Sequence, residues 1–141
     1  MTRKITSGAA KIALGKESKL RLGNLDARRD WGHAAEYVQA MWLMLQRDQP
    51  DDYVIATGTC HTVAEFVAAA FATVELDWRQ HVVSDASLYR SAESHALRGD
   101  ASKAEQDLGW RSKTSFSELV KEMMTADLIR HAARPAATAI V

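Results

Sequence analysis

The sequence predicts an α/β fold in which helices are joined by a few short strands. Three observations carry this. Helix-period apolar spacing alternates along the chain with short β-branched or alternating segments. Two S/T-x-x-E capping boxes open helices at Thr62 and Ser115. Gly and Pro punctuate the segments at Gly15, Gly23, Pro50, Gly58 and Gly109.

The elements follow in order. Residues 4–14 read as a helix with Ile5, Ala9, Ile12 and Ala13 on one face, stopped by Gly15. Residues 19–22 alternate as a short strand ending at Gly23-Asn24, and 26–32 form a charged loop around Trp31. The strongest helix spans 33–47, with Ala34, Val38, Met41, Trp42 and Leu45 on one face, and Pro50-Asp51-Asp52 breaks the chain after it. Residues 53–57, Tyr-Val-Ile-Ala-Thr, have the composition of a buried strand ended by Gly58. Thr62 to Glu65 cap a helix that buries Val63, Phe66, Val67, Ala70, Phe71 and Val74. Residues 80–83 form a further short strand. Residues 84–99 are loop-like, with an extended piece at 96–98. Asp100 caps a short helix that ends at Leu108-Gly109. The last helix starts at Ser115 and carries Phe116, Leu119, Val120 and Met123 on one face. From Arg130 the chain turns Ala-rich, contains Pro135, and is expected to fray.

Length and composition set the frame. The chain has 141 residues, enough for one domain with its own core. Apolar residues make up 47% and charged residues 26%, ordinary values for a globular protein. Apolar runs are far shorter than the ~20 residues of a membrane span. The opening segment lacks the long apolar core of a signal peptide. A single cysteine, Cys60, excludes an intramolecular disulfide or thiolate zinc cluster and suits a reducing cytoplasm.

Eighteen basic and eighteen acidic side chains sum to zero, which argues against a nucleic-acid binder. The sum conceals an asymmetry. Residues 1–29 hold eight basic side chains and two acidic ones; the remainder holds ten and sixteen. Such a local excess attracts an anion such as a phosphate, although a solvated face is the commoner reading of charge alone.

Several chemistries lack their residues. There is no G-x-G-x-x-G or P-loop, no Tyr-x-x-x-Lys pair, and no H-x-x-x-H metal pair among His33, His61, His81, His95 and His131. Neither a metal site nor a catalytic set is expected. Two clusters remain. Arg28-Arg29-Asp30-Trp31-Gly32-His33 puts guanidinium groups before a helix N-terminus, an arrangement suited to phosphate. Tyr89-Arg90-Ser91-Ala92-Glu93 offers an arginine for phosphate or hydroxyls and a carboxylate for N–H donors. By pattern alone the structural reading of both is preferred: an Arg–Asp pair with a Trp31 core plug, and an exposed loop pair.

A resemblance adds to this reading. The run from Gly23 to Ala34 (Gly-Asn-Leu-Asp-Ala-Arg-Arg-Asp-Trp-Gly-His-Ala) closely resembles the GDP-mannose 4,6-dehydratase family, as do positions 37–45 and 50–58. So do Thr2 to Thr6, Gly99-Asp100, Leu108-Gly109-Trp110 and Lys113 to Phe116 with Glu118 to Val120. These enzymes are extended short-chain dehydrogenase/reductases that act on a nucleotide sugar.

The resemblance implies a C-terminal, substrate-binding lobe whose N-terminal Rossmann half, with its NADP site and catalytic Thr, Glu, Tyr and Lys, is absent. It implies residues 1–130 as a nucleotide-sugar lobe and 131–141 as a tail. Lys4, Arg29, Arg90 and Glu93 are implied as contacts to the GDP part of GDP-mannose. Lys4, Arg29 and Arg90 would meet diphosphate or ribose, and Glu93 ribose or guanine donors. The implied partners are GDP-mannose and either further copies in a homo-oligomer or the missing Rossmann half, in the cytoplasm, with no nucleic acid and no membrane. The chain by itself is expected to be inactive. Ser91 and Ala86 stand where the family has prolines, which is expected to loosen the loop carrying Arg90 and Glu93. The alternatives are a non-catalytic module that pairs with a separate Rossmann half, or a fragment of a related sugar-nucleotide dehydratase or epimerase.

Overall fold

The computed structural model describes residues 1–89 and 98–133. It is about half helix, with four three-residue strands. Helix α1 covers Thr2–Ala13 and α5 covers Phe116–Ala132, and these two pack most closely, with α3 (Val63–Ala72) against both. The α1 face holds Ile5, Ala9 and Ile12 in the core as expected, whereas Ala13 faces solvent at the helix end. Gly15 follows at φ +68°, and its N–H reaches the Ile12 carbonyl at 3.0 Å.

Both capping boxes form. Thr62 accepts from the Glu65 amide at 3.0 Å while Glu65 accepts from the Thr62 amide at 2.7 Å. Ser115 and Glu118 repeat the exchange at the head of α5. Asp100 acts one residue before the cap of α4 (Ser102–Leu108), accepting from the Ser102 amide at 3.0 Å. Gly109 closes that helix in the left-handed region, which glycine adopts without strain.

The strands make two separate two-stranded ribbons. Strand β1 (Leu20–Leu22) pairs in parallel with β4 (Val82–Ser84), shifted slightly from the expected 80–83 because Trp78–Gln80 coil into a 3-10 turn. Strand β2 (Arg28–Asp30) pairs antiparallel with β3 (Cys60–Thr62), matching Arg29 to His61. This second ribbon corrects the expectation of a loop at 26–32. Charged side chains hide strand periodicity, and pairing with a segment 32 residues away leaves no local mark.

Two hydrophobic clusters result. The main one gathers Ile5, Leu22, Phe66, Phe71, Val120 and Met124 from α1, β1, α3 and α5, with Trp31 and Phe116 packed on its edge. The second is smaller: Ala40 of α2 (Ala34–Met44), Ala104 of α4 and Trp110, with Tyr37, Leu43, Met44, Tyr53 and Ile55 around them.

Two further expectations are corrected here. The predicted core face of α2 is the exposed one, with Val38, Met41 and Trp42 about 60% accessible and Leu45 81%. Residues 53–57 form no regular element and pair with no strand among the described residues. At the C-terminus α5 continues through Ala132, and His131 Nε2 bonds Ser7 Oγ at 2.8 Å, so the helix holds past Arg130. Residues 134–141 lie outside the described residues, as does most of the expected extended piece at 96–98.

Candidate functional site

Arg29 sits in the middle of β2, half-buried, beside exposed Arg28. Its neighbours hold that strand rigidly. The Asp30 carboxylate accepts from the Thr57 amide at 3.0 Å, the Thr57 hydroxyl at 2.6 Å and the Gly58 amide at 2.9 Å. Trp31 anchors the far side, edge-on to Phe66 at 5.1 Å and stacked near Phe116 at 6.2 Å. Asp30 is therefore occupied by the 57–58 turn, and Arg29 makes no ion pair among the described residues. The Arg29 guanidinium donates to the Arg28 carbonyl at 2.6 Å. Of the structural reading of this motif, the Trp31 plug is present and the Arg–Asp pair is not.

Lys4 is exposed on the first turn of α1. It lines a depression of about 390 Å³ with Arg3, Ser7, Gly8, Lys11, Glu17 and Leu20. Arg3 is bound to Asp127 at 3.1 Å and Lys11 to Glu17 at 2.7 Å. Lys4 meets no carboxylate among the described residues, so its charge is available to an anion. Arg29 does not line this depression.

Arg90, Ser91 and Glu93 lie outside the described residues. The approach to them is well held. Asp85 caps a short turn at Ala86–Leu88, accepting from the Ser87 amide at 3.0 Å and hydroxyl at 2.6 Å, and it pairs with Arg21 at 3.2 Å. At Ala86, a carboxylate cap supplies the turn geometry that a proline would otherwise impose.

A second carboxylate orders the segment 112–114. Glu36, on the first turn of α2, accepts from the Ser112 hydroxyl at 2.9 Å, the Thr114 hydroxyl at 2.8 Å and the Thr114 amide at 2.9 Å. The Glu36 carbonyl also accepts the Trp110 indole N–H at 2.8 Å. Burial pushes the Glu36 pKa up, but the bonds from Thr114, Ser112 and Lys113 outweigh it and hold the acid below its ordinary 4.5. A lowered folded value means the stabilisation is complete above the ordinary value and is lost as pH falls through the folded one. Glu36→Gln is therefore expected to cost stability at neutral pH, with the gap to the parent closing as pH falls below 4.5. Urea melts of both chains across that range check it, and a pH-independent gap would refute the role.

Asp30 and Glu36 are the positioning residues that sequence reasoning missed. Their partners lie 27 and 76 or more residues away, and a single sequence carries no signal of such contacts.

The positive-φ glycines also bear on a dinucleotide. Gly15 and Gly109 close helices, and Gly58 leads into β3. None of these three stands between a strand and the helix it opens; Gly32, between β2 and α2, does, but without a positive φ. Among these residues no group of three His, Cys, Asp or Glu could hold a metal ion, and no helix is long and apolar enough to cross a membrane.

The family model described as GDP-mannose 4,6 dehydratase matches residues 1–123. The chain belongs to the GDP-mannose 4,6-dehydratase family. GDP-mannose 4,6 dehydratase 1 of Arabidopsis thaliana is 52% identical over 128 residues, which is 91% of this chain and 36% of that one. The Homo sapiens GDP-mannose 4,6 dehydratase is 46% identical, covering 91% and 39%. Among solved structures, RMD from Pseudomonas aeruginosa, complexed with NADPH, aligns with a TM-score of 0.81 at 17% identity, over 92% of this chain and 42% of that one. That likeness establishes the fold: the two-ribbon, helix-rich arrangement is that of a portion of such enzymes. The chain thus spans little more than a third of the length of the curated relatives it matches.

Proposed function

We propose that this chain is the C-terminal, nucleotide-binding lobe of a GDP-mannose 4,6-dehydratase. In this reading it holds the GDP part of GDP-mannose during conversion to GDP-4-keto-6-deoxy-mannose. The observation that carries the reading is the 52% identity to an Arabidopsis enzyme of that name across nearly the whole chain. The net reaction removes one water from the sugar. Hydride leaves C4 and returns to C6, so no oxidant is consumed overall. NADP supplies that hydride relay in the family, and it is assigned to the part of the enzyme outside these 141 residues.

The roles follow from charge and position. Arg29 carries a guanidinium on a strand pinned by Asp30 and Trp31, and that group can meet a diphosphate oxygen pair once it exchanges its bond to the Arg28 carbonyl. Lys4 adds a mobile point charge at the uncapped N-terminus of α1. Arg90 and Glu93 are assigned to ribose and guanine. The chain by itself is inactive in this reading, works in the cytoplasm, and acts within an assembled or oligomeric enzyme.

The exposed apolar face of α2 favours a second reading: a non-catalytic module that pairs with a separately made Rossmann half. Turnover of the isolated chain does not separate the two. The isolated chain with GDP-mannose and NADP is expected to give no 4-keto product in either case. Calorimetric titration with GDP-mannose, UDP-glucose and dTDP-glucose then tests the lobe itself, and only GDP-mannose is expected to bind. In the assembled enzyme, Arg29→Ala is expected to weaken GDP-mannose about 10- to 100-fold, the worth of a charge-assisted hydrogen bond. Lys4→Ala is expected to cost less, because a flexible exposed ammonium gives up more freedom on binding. Unchanged affinity in Arg29→Ala would remove that residue from the site.

A further inference from the structure

Between β2 and α2 the chain makes an elbow in which successive residues are held by different partners. Asp30 is bound to the 57–58 turn, and Trp31 lies against Phe66 and Phe116. Gly32 passes so close to Tyr37 that a Cβ there would lie 2.5 Å from it, so a larger residue would have to displace that ring. His33 then caps α2 with its side chain.

Imidazole is not one of the common N-cap groups. The His33 Nδ1 accepts from the Ala35 amide at 3.2 Å, and Nε2 lies 3.1 and 3.2 Å from the two Glu122 carboxylate oxygens on α5. Together these contacts fix the protonation state. An accepting Nδ1 needs its lone pair, so the neutral ring carries its proton on Nε2 and donates it to Glu122. The Glu36 and Tyr37 amides bond the His33 carbonyl at 3.1 and 3.2 Å, whereas the Ala35 amide depends on the ring.

Charging the ring breaks one contact and keeps the other. A protonated imidazole has two donors and no acceptor, so Ala35 loses its partner while positive charge stands at the positive end of a helix. The Glu122 contact survives, but that side chain is 66% exposed and water screens it. The other acids around the elbow are already bound: Asp30 to 57–58, Glu36 to Ser112 and Thr114, and Glu118 to the Ser115 cap. Lys121, beside Glu122, and Arg29, upstream in β2, are cations that oppose the added charge.

We infer that His33 is a positioning residue for the strand that carries Arg29. As a neutral imidazole it latches the elbow between β2 and α2 onto α5, and when protonated it releases the first turn of α2. The latch thereby ties the placement of the Arg29 guanidinium to pH. Only its consequence for GDP-mannose rests on the nucleotide-lobe reading.

Long-range proton–nitrogen NMR spectra of the 141-residue chain test the latch, and at high pH His33 should be the Nε2–H tautomer. From about pH 8 to about pH 5, the amides of Ala35 and of residues 29–31 should shift with the same midpoint as the His33 ring. His33→Asn supplies a cap oxygen that does not charge in this range, so its Ala35 amide should stay in place. In the assembled enzyme, the parent should bind GDP-mannose about fivefold more weakly at the acid end, the worth of one cap bond. His33→Asn should bind equally at both ends, and His33→Ala weakly at both. An Nδ1–H tautomer, an Ala35 amide that ignores the His33 titration, or a His33→Asn chain that keeps the parent's pH dependence overturns the inference. Amides that follow His33 in an enzyme that binds no GDP-mannose at any pH support the latch and overturn the nucleotide-lobe reading alone.

Discussion

Phe66→Ala is expected to destabilise the 141-residue chain by about 3–5 kcal/mol, the largest single loss in the molecule, through lost burial and the cavity left behind. Phe66 is fully buried on α3, at the centre of the main cluster. It meets Trp31 edge-on at 5.1 Å and Phe116 at 5.7 Å. Three segments converge on this ring, so none can collapse into the void without moving the others. The loss reaches the candidate site, because Trp31 is the anchor that follows Arg29 and Asp30. Urea denaturation measures it, and a shift under about 1 kcal/mol would mean the core relaxes around the gap. In the assembled enzyme, GDP-mannose affinity should fall as well, although Phe66 touches no part of the proposed ligand surface.

The second large effect comes from a charge inside the fold. Asp127 is 1% exposed on α5. Its carboxylate accepts from the Thr6 hydroxyl at 2.7 Å, from Arg3 at 3.1 Å and from Arg130 at 2.5 Å. This group clamps α5 to α1. Asp127→Ala is expected to cost about 2–3 kcal/mol, since buried Thr6 is left without that acceptor and the charge-assisted bonds are lost. The figure stays below that of a fully buried pair because both arginines are partly solvated and can turn to water. Asp127→Asn keeps an acceptor for Thr6 and should lose roughly half as much. Thermal melts of the three chains check the order, and equal stability of Asp127→Ala and the parent would show that the clamp is idle. Lys4 shares a helix turn with Arg3, so the clamp also sets where that cation stands.

What the amino-acid order determined by itself is local. The helix starts at Thr62 and Ser115 were legible because a capping box is complete within four residues. The stops at Gly15 and Gly109 were legible because a left-handed turn selects glycine. The core face of α1 was legible because its other side carries Arg3, Lys4, Ser7 and Lys11, and that of α3 because its large residues stand on one side with alanines and Glu65 on the other. Family membership was legible too, through the run from Gly23 to Ala34.

Only the tertiary structure decided the rest, and in each case the missing information was the identity of a distant partner. Arg28 to Asp30 became a strand because Cys60 to Thr62 lay alongside. Residues 53–57 have strand composition yet pair with no strand among the described residues, because composition states a preference and hydrogen bonding needs a neighbour. Asp127 occupies a core position by spacing, and only Thr6, Arg3 and Arg130 make a carboxylate tolerable there. Helix α2 is the sharpest case. Its apolar stripe was read as buried, since periodicity marks a face that wants a partner, but whether these 141 residues contain that partner is a property of the assembled fold.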